Sequence, residues 1–368
     1  MKWFVAFVVL CCAARAFAAA PTFSSAPLSI PTENSSSASS LATPPTPTDL
    51  GAGGVLVRRG LWTAMGKGYG ARWTSNGSGF DLYARAFNGG DSFSSADNNA
   101  AIGINATGDI AMQVGRSIYI AYRPSPVLQP NVWANRLVYT DGLDVNAIIT
   151  DRVGFNDVGQ IVATSATGIA YYFSSTGQRV SLSSFVGTSA RGINNSGTII
   201  GDNLYGSVQG SVFSFTTIPA PGGFTAITLN DINDSGLMVG TARNGSLNMP
   251  FTFTADQGLG FLTLPDGYTG GGANGVNGDG DIVGFLRDSA GSFHAAYWRE
   301  GVAYLLPDAT NAAGTSVRLV TATLISDDGY VYADGTSGAF ILTPIPEPSI
   351  CSLAFLLLLG RRPHRRTA

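Results

Sequence analysis

Apolar residues in this chain come in short runs broken by small polar turns. The clearest case is Gly192-Ile193-Asn194-Asn195-Ser196-Gly197-Thr198-Ile199-Ile200-Gly201. Apolar residues enter a four-residue polar turn and resume after it, which predicts a strand, a tight turn and a strand. The pattern recurs. The turn opens with Asn105, Asn156, Asn194, Asn233 or Asn277, and Ser326 stands in the same place at the end. An apolar residue precedes each, from Ile104 to Ile325, and a glycine follows three positions later, from Gly108 to Gly329. Separations of 51, 38, 39, 44 and 49 residues mark an internal repeat.

The turn chemistry follows from the residue types. Asn, Asp or Ser at the first position of a type I turn bonds the backbone ahead of it. Glycine at the fourth accepts a positive φ without steric cost. A type I turn followed by a left-handed residue is a common hairpin connection. The Asn and Gly of the repeat therefore read first as structural.

Each period carries a second hairpin. Phe251 to Thr254 alternates, turns at Asp256-Gln257-Gly258 and returns through Gly260 to Leu264. Ala296-Tyr297-Trp298 turns at Glu300-Gly301 and returns through Val302 to Leu306. Ala71 to Thr74 with Phe80 to Leu82 fits the same second hairpin ahead of the first Asn turn. No long segment has helical apolar spacing. Four antiparallel strands per period make a propeller blade. The expectation is an all-β fold, a β-propeller of six four-stranded blades, or seven if Val55 to Met65 adds one. The last period ends at Phe340-Ile341-Leu342 one strand short. An N-terminal strand is expected to complete that blade and remove both open edges.

The pattern changes at both ends. Residues 1–18 read as a signal peptide: Lys2, an apolar run from Trp3 to Cys12, and an Ala16-Phe17-Ala18 site that places cleavage between Ala18 and Ala19. Residues 19–50 are rich in Ser, Thr and Pro and read as a disordered linker, because they hold too little apolar surface to offset ordering entropy. The repeat domain spans 51–343. Residues 344–368 hold Pro346-Glu347-Pro348, an apolar segment from Ser349 to Leu359, and Arg361, Arg362, Arg365 and Arg366. The apolar segment reads as a sorting helix and a transient or retained membrane anchor. The arginines after it would stay cytoplasmic, and a cleaved signal at the other end would hold the body outside.

Composition narrows the chemistry. All three cysteines, Cys11, Cys12 and Cys351, fall in the terminal segments, so the repeat domain has no disulfide and no thiol chemistry. His294 is its one histidine, which removes histidine-cluster metal sites, and no nucleophile elbow accompanies it. Glutamate occurs only as Glu33, Glu300 and Glu347. From 49 to 343, 22 acidic side chains face 15 basic ones, a net charge of −7 with no basic stripe, which points away from nucleic acid. Calcium is the one cofactor the spacing suggests. Asn277, Asp279 and Asp281 put three oxygen side chains in a glycine-rich loop. Asp231, Asn233 and Asp234 resemble the start of an EF-hand loop, but Ala242 holds the place of its bidentate glutamate.

Two resemblances follow from these residues. The Pro346-Glu347-Pro348 motif, apolar segment and arginine cluster resemble the PEP-CTERM sorting signal of Gram-negative and related bacteria. That resemblance implies an exosortase-type membrane protease as partner. The Ile-Asn-x-x-Gly cores, Phe293-His294-Ala295-Ala296-Tyr297-Trp298 and Gly338-Ala339-Phe340-Ile341-Leu342 resemble extracellular HAF-type repeats, from about Tyr69 to Thr343. That family implies no established activity. The expected function is an exported cell-surface or extracellular-matrix protein, a non-enzymatic binding or structural propeller with surface or matrix polysaccharide as its partner. The alternative is a secreted polysaccharide-active enzyme with Asp residues at the propeller mouth.

Overall fold

The repeated turn closes as its residue types require. In each copy the glycine N–H donates to the carbonyl of the first turn residue, at 3.0 Å in the Asn105 turn and 2.9 Å in the Asn194 and Ser326 turns. All six turn glycines have positive φ, between 80° and 86°. The described residues of this computed structural model are 21–27, 47–51, 55–62, 67–73, 80–82, 99–114, 117–122, 134–139, 153–165, 168–182 and 189–345.

Among them the strands form seven four-stranded antiparallel sheets and one small hairpin, Ala309–Thr310 with Ser316–Val317. The sheets are numbered in chain order of their first inner strand. Blade 1 is Pro47–Gly51, Val55–Trp62, Lys67–Trp73 and Phe80–Leu82. Blade 2 is Asn99–Ile104, Ile110–Val114, Ser117–Tyr122 and Ala134–Tyr139. Blade 3 is Gly154–Phe155, Ile161–Thr164, Ala170–Phe173 and Arg179–Ser181. Blade 4 is Gly192–Ile193, Ile199–Ile200, Leu204–Gln209 and Val212–Thr217. Blade 5 is Ala226–Ile232, Met238–Asn244, Leu247–Thr254 and Gly258–Phe261. Blade 6 is Tyr268–Val276, Ile282–Asp288, Phe293–Arg299 and Val302–Leu305. Blade 7 is Leu319–Ile325, Val331–Gly335 and Ala339–Pro344, with Phe23–Pro27 as its outer strand.

The fold is an all-β propeller. Six blades, 2 to 7, are the six repeats, and each joins its two inner strands through the Asn or Ser turn. Val55 to Trp62 supplies the second strand of the additional sheet, blade 1, which has no copy of the motif.

The core lies in slabs between neighbouring blades. Ile102, Ile118 and Ile120 of blade 2 pack on Phe155, Ile161 and Phe173 of blade 3. Val162 and Tyr172 of blade 3 pack on Ile193, Ile199 and Leu204 of blade 4. Ile200 of blade 4 packs on Leu229, Met238 and Phe251 of blade 5. Val239 of blade 5 packs on Ala273, Leu286 and Trp298 of blade 6. The ring closes where Leu50 of blade 1 packs on Tyr332, Ala339 and Ile341 of blade 7. A strand standing between two slabs presents alternate residues to each: Ile199 packs in the slab with blade 3 and Ile200 in the slab with blade 5.

One expectation is corrected. The Ser/Thr/Pro-rich stretch 19–50 holds ordered strands at Phe23–Pro27 and Pro47–Gly51. Its composition cannot build a core of its own, but a strand added to an existing sheet needs only the ladder bonds that the sheet edge already offers. The strand expected to complete the last blade therefore comes from within this stretch, and the folded body is one compact unit over Ser25–Thr343. Among the described residues no helix is long and apolar enough to cross a membrane. The cleavage residues Ala18 and Ala19 and the sorting residues from Pro346 to Arg366 lie outside the described residues.

Candidate functional site: the axial cavity and the groove beside it

The first turn residue does two jobs. Its Oδ1 closes its own turn, accepting the N–H four positions on: Asp109, Gln160, Thr198, Leu237 and Asp281 donate at 2.8 to 3.0 Å. In blades 2 to 5 its Nδ2 reaches toward the next blade. Asn156 donates to the Asn194 carbonyl at 2.8 Å, Asn194 to Asn233 at 3.2 Å and Asn233 to Asn277 at 2.9 Å; Asn105 approaches Asn156 at 3.5 Å. The five asparagines are buried, with 2–6 % of their surface exposed. A side chain with both an acceptor and a donor is required here. Ser326 keeps the acceptor, taking the Tyr330 N–H at 3.0 Å, but has no amide to pass on. It stands in blade 7, whose neighbour around the ring, blade 1, lacks the motif.

The second turn residue adds another belt. The Ala106 N–H donates to Asp157 Oδ1, the Asp157 N–H to Asn195 Oδ1, the Asn195 N–H to Asp234 Oδ1 and the Gly278 N–H to Asp327 Oδ1, at 2.7 to 2.9 Å. Asn195 Nδ2 also bridges Asp157 and Asp234 at 2.9 and 2.7 Å.

These turns and the inner strands line an axial cavity of about 200 Å³. Glycine holds the position two before the turn in blades 2, 3, 4 and 6, because the inner strands approach there. A Cβ on Gly154 would lie 2.6 Å from the Ile193 backbone nitrogen. Blade 5 has Asp231 at this position, whose Oδ2 accepts the Val276 N–H of blade 6 at 3.0 Å.

One position earlier the copies differ again. Asn230 and Asn274 donate their amides to the Ala273 and Ala322 carbonyls of the following blades, at 2.7 and 2.9 Å. Blade 4 has Arg191 in their place. Its Nε pairs with Asp202 Oδ1 at 2.8 Å, both side chains being about a quarter exposed. Arg191 lines the axial cavity and also a groove of about 530 Å³ between blades 4 and 5. The groove's lining includes Arg243, Asn203, Asn230 and Thr228.

The structure places the three residues suggested for calcium apart in role. Asn277 is buried and its Oδ1 accepts the Asp281 N–H. Asp279 is exposed at the turn. The Asp281 carboxylate accepts Arg299 Nε at 3.0 Å and Nη2 at 2.7 Å, and the Tyr297 hydroxyl donates to it. Arg299 Nη2 also donates to the Tyr297 hydroxyl at 2.6 Å. Burial, reinforced by the Asp281 carboxylate, holds the Tyr297 phenol well above its ordinary value. Hydrogen bonding to Asp281 raises the Arg299 guanidinium in turn. Among the described residues no group of three or more His, Cys, Asp or Glu is arranged to hold a metal ion. His294 pairs through Nε2 with Asp288 Oδ2 at 3.0 Å and meets the Tyr268 ring edge-on.

Sequence reasoning identified the turn asparagines but not their second bond, which depends on where the next blade puts its carbonyl. It also passed over Arg191 and Arg243. The usable signal was a break in the repeat: aligning the copies on their turns puts Ile102, Val153, Arg191, Asn230, Asn274 and Thr323 at one position, with a single cation among them.

No family model and no curated protein matches the chain. Solved structures do. A catalytically inactive virginiamycin B lyase from Staphylococcus aureus with quinupristin is 10% identical, with a TM-score of 0.49 over 88% of this chain and 100% of that one. YCF48 from Cyanidioschyzon merolae is 10% identical, with a TM-score of 0.47 over 87% of this chain and 98% of that one. The β-propeller domain of the Trilobed protease from Pyrococcus furiosus, with an open velcro topology, is 10% identical, with a TM-score of 0.46 over 82% of this chain and 93% of that one. These likenesses concern chain path, not chemistry.

Proposed function

We propose that the protein is an exported cell-surface or extracellular-matrix protein whose propeller is a non-enzymatic binding body for polysaccharide. On this reading the chain is cut between Ala18 and Ala19, and its Pro346-Glu347-Pro348 tail is handled by an exosortase-type membrane protease. One observation carries the non-enzymatic part. Among the described residues, each carboxylate lining the axial cavity accepts a backbone N–H from a neighbouring blade: Asp157 from Ala106, Asp231 from Val276, Asp234 from Asn195 and Asp327 from Gly278. A glycosidase needs one carboxyl group free to donate a proton and another free to attack or to activate water. These carboxylates have acceptor sites committed to joining blades, which supports a structural role for them. The layout of the two termini supports the address.

Two measurements test the reading. Mass spectrometry of the protein recovered from its own cells is expected to find an N-terminus at Ala19 and a C-terminus lacking Arg361 to Arg366. A mature chain retaining Arg366 overturns the sorting step. The purified full-length protein is expected to bind polysaccharide extracted from those cells without releasing reducing ends. Release of reducing ends overturns the non-enzymatic reading, and absence of binding overturns the choice of partner.

A further inference from the structure

The groove between blades 4 and 5 combines an apolar floor with polar and cationic walls. It lies at the end of the blade 5 inner strand away from the Asn233 turn, where Ala226 pairs with Arg243. Ile218 and Ile227 form a buried apolar floor. Thr217, Thr228 and Asn203 bring hydroxyl and amide groups to its walls. Its lining holds two guanidinium groups, Arg191 and Arg243, and one carboxylate, Asp202, which is already bonded to Arg191. Arg243 is exposed and has no carboxylate partner among the described residues. The groove thus has a net positive charge on a body whose net charge is −7.

A guanidinium fork matches a carboxylate in geometry and gains strength from its charge. Hydroxyl and amide groups above an apolar floor suit a ring that carries hydroxyls on its edge and C–H groups on its face. The volume is in the range of small-ligand sites. The position of Arg191 is also the one where blades 5 and 6 use asparagine to join neighbours. Blade 4 gives up that joint and gains a cation facing the groove.

We infer that this groove binds the carboxylate-bearing unit of an acidic polysaccharide, a hexuronate residue, with Arg243 as the principal contact to the carboxylate and Arg191 as the second. The inference rests on the polysaccharide-binding reading above and specifies the sugar and the place. Asp202 tempers the site by occupying Arg191.

The test is calorimetric titration of the full-length protein with trigalacturonate and with its methyl ester, which has the same backbone without charge. Trigalacturonate is expected to bind and the ester to bind at least about tenfold more weakly, the size of one charge-assisted hydrogen bond. Arg243→Gln lies on an exposed strand end and is expected to weaken trigalacturonate about tenfold while leaving the melting temperature unchanged. Asp202→Asn releases Arg191 and is expected to tighten binding several-fold. Equal binding of acid and ester, or no effect of Arg243→Gln, overturns the inference. Inorganic phosphate binding as tightly as trigalacturonate also overturns it, since the hydroxyl-matching walls would then contribute nothing. Binding of the cells' own polysaccharide that Arg243→Gln leaves unchanged overturns this site but leaves the broader reading standing. No binding of that polysaccharide overturns the broader reading instead.

Discussion

Asn194 is buried, yet every polar atom of its amide is used. Oδ1 accepts the Thr198 N–H and the Ser196 hydroxyl, and Nδ2 donates to the Asn233 carbonyl. Asn194→Ala leaves the part-buried Thr198 N–H without its acceptor and takes one of two donors from the buried Asn233 carbonyl, which keeps the Gly236 N–H, at a cost of about 2 kcal/mol. Asn194→Ser restores the acceptor, as Ser326 does naturally, and is expected to cost about 1 kcal/mol. Urea midpoints should therefore rank wild type above Ser and Ser above Ala. Equal midpoints for the two variants would show that the turn-closing acceptor contributes nothing. The residue types of the turn were legible from sequence, because Asn and Gly at that spacing have few other uses. The bond to the next blade was not, because nothing local to Asn194 says where residue 233 lies.

At the scale of elements, the repeat unit is a four-stranded blade with variable locks between its strands. Blade 6 ties its turn to its third strand through Asp281, Tyr297 and Arg299. Blade 3 uses Gln160 and Tyr172 at the matching positions, with Gln160 Nε2 donating to the Tyr172 hydroxyl at 2.9 Å. Burial raises the Tyr172 phenol above its ordinary value, and the bond from Gln160 opposes that shift. The hairpin between the second and third strands of blade 6 carries a titrating contact. Asp288 pairs with His294 and accepts the Ser292 N–H at 2.8 Å, and these bonds, the histidine first, hold its carboxyl below the ordinary value of 3.8. A carboxyl depressed in the folded state adds stability that is present above its unfolded value and is lost as pH falls through the folded one. Asp288→Asn should thus lower the urea midpoint at pH 7 and match wild type at a pH below the folded value. A wild-type advantage that persists in acid would assign the effect to packing instead. The neighbouring hairpin, turning at Glu300-Gly301, could be read from the apolar runs on either side of that turn. The pairing of His294 with Asp288 needed the register of Arg287 opposite Phe293.

At the scale of the whole molecule, closure joins chain ends far apart in sequence. Phe23–Pro27 is the outer strand of blade 7, and Leu50 of blade 1 enters the slab with Ile341. A chain beginning at Leu28 keeps all seven inner strands but exposes the edge of Ala339–Pro344. It is expected to melt lower by about 5 °C or more, taking the loss of a few ladder bonds for a domain of this size. It should also self-associate in light scattering, because an unpaired edge is a template for another chain. An unchanged melting temperature and a monodisperse sample would mean that the outer strand does not hold the ring.

The sequence by itself determined the repeat, the turn type, the all-β class and the propeller architecture. Each follows from local rules: alternation, glycine where φ is positive, and an asparagine that bonds its own backbone. It also implied a missing strand in the last blade. Only the tertiary structure decided that this strand comes from a Ser/Thr/Pro-rich stretch with no apolar pattern of its own, since the pairing edge, not the strand, supplies the stabilisation. The same holds for the axial aspartates, whose engagement depends on backbone groups one blade away. It holds for the groove, where Arg191 and Arg243, 52 positions apart in the chain, come to line one surface. A repeated local motif can be read from its own residues. A contact between repeats depends on the angle at which they stack, and that angle is set by slabs such as Phe155, Ile161 and Phe173 against Ile118 and Ile120.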